Sequence, residues 1–125
     1  MGRIAPYLLY EDAAAAIDFL TKAFGFEEVM RMDAEGVVNH AELRLGDDSV
    51  MLGYPGPDYK SPKKADHRSA LVHVYVDDVD AHFERAKEAG AEIVMEPTDQ
   101  EYGDRRYDAL DLEGQFWSFS TPLFR

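Results

Sequence analysis

Two short stretches concentrate side chains able to do chemistry. In the first, His40, Glu42 and Arg44 alternate with Ala41, Leu43 and Leu45. In the second, Leu71, His73 and Tyr75 alternate with Val72, Val74 and Val76. Period-two alternation places each set on one face of a strand, with the apolar residues turned to a core. Imidazole and carboxylate together can hold a divalent ion, or share a proton in general acid–base work. A His40/Glu42/His73 triad can be drawn, but residues two apart on a strand are separated by roughly 6–7 Å. Arg44 in the same row would also repel a cation, so His40 and His73 read as polar lining. His82, one residue before the apolar Phe83 on a helix, is expected at the surface, and His67 falls in a connector.

These stretches sit inside a pattern written twice. Ile4 to Tyr10 reads as a strand with Ala5, Tyr7 and Leu9 on one side and Leu8 and Tyr10 on the other. A helix follows, capped by Asp12, with the stripe Ala13, Ala16, Ile17, Leu20 and Phe24, and Gly25 stops it. Glu27 to Met32, Val37 to Leu45 and Ser49 to Gly53 read as strands. Residues 55–68, rich in Pro and Gly, form a connector expected to be mobile. The order then restarts: strand Ala70 to Val76, a helix opened by Asp77-Asp78 with the stripe Val79, Phe83 and Ala86, strand Glu92 to Glu96 ended by Pro97, and a hairpin. That hairpin runs from Tyr107 to Leu112, turns at Glu113-Gly114 and returns from Phe116 to Ser120. At a shift of 67 residues Leu43 falls on Leu110, Met51 on Ser118, Val50 on Trp117 and Leu52 on Phe119.

The fold class is therefore α+β: two βαβββ modules, about residues 1–54 and 69–122, in one domain. Each module alone buries one face of an open sheet, so the two must combine, and the opposite faces line a cleft. Cleft-side aromatics expected to offer stacking and cation–π contact are Tyr7, Tyr75, Tyr107 and Phe116. Leu9, His40, Glu42, Met51, His73 and Ser118 complete the expected ligand-binding set.

Composition limits the functions available. The net charge of −12 over 125 residues disfavours nucleic acid and favours cationic small molecules. The chain has no cysteine, which removes thiolate nucleophiles and sulfur-ligated metals. It also lacks an apolar run of membrane-spanning length and a basic-then-apolar leader, so a cytoplasmic location is the expectation.

The blocks AAIDFLTKAFGFEE, HAELRLGDDSVML, VHVYVDDVDAHFERAKEAGAEIV and YGDRRYDALDLEGQFWSF resemble the vicinal-oxygen-chelate superfamily of glyoxalase I, extradiol dioxygenases and bleomycin-resistance proteins. The resemblance implies paired βαβββ modules, a homodimer and a small-molecule cleft. It also implies four repeat-related metal-ligand points, which fall on Ala5, Met51, Leu71 and Ser118. None is the His or Glu of the metalloenzymes, so the resemblance implies a metal-lacking binder of the bleomycin-resistance type, without a cofactor, holding a cationic or planar aromatic natural product. The alternative is a glyoxalase-like enzyme with a rearranged site on His40, Glu42 and His73. The Gly-Asp-Arg segment at Asp104-Arg105 is read as a salt bridge fixing the strand entry, and Gln115 stands where relatives usually carry His.

Overall fold

The computed structural model describes residues 2–124. Strand β1 (Tyr7–Leu9), helix α1 (Ala13–Phe24) and strands β2 (Glu27–Ala34), β3 (Val37–Leu45) and β4 (Asp48–Gly53) build the first module. After a short helix α2 (Pro62–Ala65), the second comprises β5 (Leu71–Tyr75), α3 (Val79–Glu88), β6 (Glu92–Asp99), β7 (Asp104–Leu110) and β8 (Phe116–Pro122). The sheets have matching orders, β1-β4-β3-β2 and β5-β8-β7-β6, and the first strand of each runs parallel to the last. This is the α+β fold of two βαβββ modules.

The helices start and stop as their sequences dictate. Asp12 accepts a hydrogen bond from the Ala15 amide and Asp78 one from the Ala81 amide, satisfying donors the first turn leaves free. Gly25 ends α1 at φ 82°, a left-handed conformation that a side chain disfavours. Both helices pack in one core between the sheets: Ile17, Leu20 and Phe24 meet Leu43, Leu52, Trp117 and Phe119. Phe24 lies 4.7 Å from Phe119 and 5.4 Å from Trp117, ring centre to ring centre. Cutting such a ring back to Ala costs about 3–5 kcal/mol.

A polar hub ties the second hairpin to the first module. Asp111 Oδ2 accepts from the Tyr10 hydroxyl at 2.6 Å and the Trp117 indole at 3.0 Å, while Oδ1 accepts from the Glu113 and Gln115 amides. Burial pushes the Asp111 carboxyl above its ordinary value, and these donors pull against that rise. Glu113 accepts from the Glu11 and Asp12 amides at the entry to α1.

Six expectations change. The connector is pinned: the Lys63 amide bonds Glu113 O, Arg68 bonds Gly114 O, and the Ser61 amide and Lys64 both bond Glu11. The Lys64 ammonium, then the Ser61 amide, hold Glu11 down to about 2. Strand β6 continues through Pro97, which is tolerated because β6 is an edge strand. Strand β7 ends at Leu110, and residues 111–115 form a wider turn around Asp111. The pairing Leu110↔Phe116 matches Arg44↔Ser49, so Leu43 corresponds to Ala109 rather than Leu110. The repeat shift is thus 66 before the turn and 67 after it.

That extra turn residue reverses the face assigned to Tyr107. It pairs with Phe119 and is fully buried on the helix side, so it lines no open face. His82 is likewise not a surface residue. Its Nε2–H donates to the Phe24 carbonyl at 2.9 Å, which leaves Nδ1 to accept from the Tyr107 hydroxyl. The imidazole packs 4.3 Å from Phe119, and burial lowers its pKa.

Candidate functional site

The face of each sheet turned away from α1 and α3 looks outward, although on the second sheet Ser118, Ser120, Asp104 and Asp108 are buried within it. On the first sheet the register lines up Tyr7, Met51, Glu42 and Met30 in one row and Leu9, Gly53, His40 and Met32 in the next. Gly53 makes room for the Tyr7 ring: a Cβ there would lie 2.6 Å from Tyr7 Cε1. The Tyr7 hydroxyl and His40 Nδ1 are 2.8 Å apart, and Ser49 Oγ donates to Glu42 at 3.3 Å. This face is aromatic and thioether-rich, with half-exposed Tyr7 as its largest side chain.

The second sheet presents a more polar face. One row holds His73, Ser118, Asp108 and Met95, the next Tyr75, Ser120 and Arg106, and Phe116 lies beside Leu71. His73 Nδ1 lies 3.0 Å from Ser118 Oγ. Arg106 grips Asp108 through two hydrogen bonds, of 2.7 and 3.2 Å, and this pairing raises the guanidinium pKa. The Tyr75 hydroxyl donates to Asp104 at 2.9 Å, and Arg105, on the other face, pairs with Asp80 and Asp99.

Of the expected ligand-binding residues, Tyr7, Leu9, His40, Glu42 and Met51 gather on the first open face. His73, Tyr75, Phe116 and Ser118 gather on the second, and Tyr107 joins neither. A third feature is a groove of about 840 Å³ between β5 and the starts of the β1 and β4 segments at Ile4, Pro6 and Asp48. Phe24, Phe26, Val50, Val72 and Val74 form its apolar lining, Asp48, Asp77 and Asp78 add carboxylates, and His73 and Tyr75 connect it to the second open face. Its residues come from five elements distant in sequence, so no local pattern marks it.

The register also sets two polar side chains beside the expected metal-ligand points Met51 and Ser118. The residue beside Met51 is Tyr7 and the one beside Ser118 is His73, each two positions along its strand from the expected points Ala5 and Leu71, which carry no donor side chain. The four side chains then supply a phenol, a thioether, an imidazole and a hydroxyl. Only the imidazole is a usual ligand for zinc, nickel or iron, so the set does not fit the His/Glu centre of the metalloenzymes. Among the described residues no three His, Asp or Glu side chains are placed to hold an ion, and His40 and Glu42 lie on a different sheet from His73. No described helix is long and apolar enough to cross a membrane.

Comparisons with known proteins agree with this architecture. The family model described as Glyoxalase/Bleomycin resistance protein/Dioxygenase superfamily matches residues 2–119. The crystal structure of TioX from Micromonospora sp. ML1 superposes with a TM-score of 0.81 at 37% identity, covering 98% of this chain and all of that one. Uncharacterized protein Mb0911c of Mycobacterium bovis is 37% identical over 96% of this chain and 83% of its own length. The fosfomycin resistance protein FosX from Mesorhizobium loti shares the fold, with a TM-score of 0.71 at 18% identity over 98% of this chain and 93% of its own. Doubled βαβββ modules, register and relatives together make this chain a member of the glyoxalase/bleomycin resistance protein/dioxygenase superfamily.

Proposed function

We propose that the protein is a small-molecule binder of the bleomycin-resistance type, which holds a cationic, planar aromatic compound without a metal centre. The observation that carries this reading is the groove: an apolar, aromatic interior rimmed by Asp48, Asp77 and the helix-capping Asp78, with Arg85 as the one guanidinium among its described lining residues, leading through His73 and Tyr75 onto the second open face. Apolar walls stack on a planar ring, while the carboxylates and the net charge of −12 attract a cation.

A second copy of the chain completes the site. Strands β1 and β5 are edges, and they leave Tyr7, Leu71 and Tyr75 substantially exposed. Because the modules repeat, a two-fold axis can set the β1 edge of one chain against the β5 edge of another, joining the thioether-rich face to the polar one. Sedimentation at micromolar concentration is expected to give a dimer, and a 14.1 kDa monomer would contradict this pairing.

Calorimetric titration with proflavine, planar and cationic, tests the function. The expected result is saturable binding that weakens with added salt and is unchanged by chelator. Affinity no tighter than millimolar for proflavine and related cationic polycycles, or binding abolished by chelation, would overturn the reading.

A further inference from the structure

Ser120 lies at the centre of the second open face, and its surroundings are unusual. It is fully buried, and among the described residues its Oγ is the buried side-chain polar atom left without a hydrogen-bond partner. By strand alternation it shares a face with Ser118, whose hydroxyl is used by His73. Its cross-strand neighbours are Tyr75 on β5 and Arg106 on β7. Tyr75 reaches from β5 to Asp104 on β7, so its ring crosses β8 between Ser120 and Pro122 and closes over the serine. Yet Tyr75 is 57% exposed, and besides Asp104 its ring meets only the edge of His73 among the described residues, 5.0 Å away, so the cover is lightly held.

The charges around the serine do not cancel. Arg106 is already committed to Asp108. Asp104, only 8% exposed, has the neutral Tyr75 phenol as its side-chain partner and no salt bridge among the described residues. One uncompensated carboxylate therefore stands diagonally across from an unused hydroxyl. A neutral O–H currently fills the position on Asp104 that a charged N–H would fill more strongly.

We infer that Ser120 and Asp104 form a covered subsite for a primary ammonium group, opened when Tyr75 turns outward. The ammonium donates to the Asp104 carboxylate and to Ser120 Oγ, and the Tyr75 ring then lies free to stack on the ligand's planar part. Unpaired in the free protein and paired in the complex, Ser120 is a residue that costs stability and serves binding. This deepens the proposed function and rests on it.

The experiment combines melting temperature with calorimetry, using tryptamine as the ammonium probe and N-acetyltryptamine as its neutral counterpart. Ser120→Ala removes an unsatisfied buried hydroxyl, so its melting temperature is expected to rise by about 4 °C or more. The same variant is expected to bind tryptamine roughly fivefold or more weakly, with little change for N-acetyltryptamine. Tyr75→Phe, which releases the latch on Asp104 and keeps the ring, is expected to bind tryptamine more tightly. A melting temperature that stays level or falls in Ser120→Ala would show that the hydroxyl has a structural partner, and would overturn the inference. Tryptamine binding that Ser120→Ala leaves unchanged overturns the subsite while the proposed function stands. Failure of the wild-type protein to bind tryptamine at all counts against both.

Discussion

Asp111→Asn is the sharpest structural perturbation, because it changes one atom at the junction of the two modules. The carboxylate accepts four hydrogen bonds and is 6% exposed. An amide has one oxygen. Placed at Oδ1, that oxygen keeps the Glu113 and Gln115 amides, and the NH₂ then faces Tyr10 and Trp117. The Tyr10 hydroxyl can turn to accept, but the indole N–H cannot. At least one buried donor is orphaned, at about 1–3 kcal/mol, and a charge-assisted bond worth about 1.5–3 kcal/mol is lost with it. Relief of the buried charge, seen in the raised Asp111 pKa, offsets part of this. The net loss is about 2–3 kcal/mol, or roughly 8–10 °C in melting temperature for a chain of this size. Urea unfolding at fixed protein concentration measures it directly, since Trp117 is the chain's sole tryptophan and a member of the hub. Tyr10→Phe should cost less, about 1 kcal/mol, and the double variant should cost less than the sum. An Asp111→Asn variant within about 0.5 kcal/mol of wild type, with an unchanged denaturant slope, would refute the hub.

Two further predictions follow from packing and protonation. Burial lowers the His82 pKa, so the folded state favours the neutral imidazole. Above the ordinary value of about 6.5 its contribution is intact. As pH falls below that, the unfolded chain takes up the proton first and stability declines until the lower folded-state pKa is reached. Unfolding curves between about pH 7.5 and about pH 5.5 should show that decline, reduced in His82→Phe, and equal slopes in both proteins would contradict it. Gly53→Ala should push the Tyr7 ring off its seat beside His40, because the new Cβ would lie 2.6 Å from Cε1. Tyr7 is half exposed and can move, so stability should change by less than about 1 kcal/mol while proflavine binding weakens; unaltered affinity would remove the first open face from the site.

Much of the fold was legible because it obeys short-range rules. Helical spacing from Ala13 to Phe24 and strand alternation through His40–Arg44 and Leu71–Tyr75 each point one set of side chains at a shared core, and the structure keeps those faces. The misreadings all involve contacts between distant segments. Tyr107 changed sides because one extra residue in the turn after β7, organised by Asp111 and its partners Tyr10 and Trp117, shifts the register. His82 looked peripheral because its helical position neighbours the stripe, yet the Phe24 carbonyl and Tyr107 hydroxyl give a buried imidazole two partners. The Pro/Gly-rich connector suggested mobility, but its backbone and lysines bind Glu11 and Glu113. The groove depends on how the two modules lean together, which no local pattern encodes. Ser120 drew no notice, since a small polar residue on a strand becomes informative only when its surroundings show it unpaired.

On the proposed function, a cation with a planar ring settles in the groove and on the open face that continues from it. Backbone amide NMR of the labelled protein titrated with proflavine tests this most directly. Saturating shifts are expected on Val72–Val76, Asp77–Asp78 and Asp48–Val50, with the β7 and β8 open-face residues following. Absence of shifts at millimolar proflavine, or shifts confined to residues remote from the groove, would contradict it.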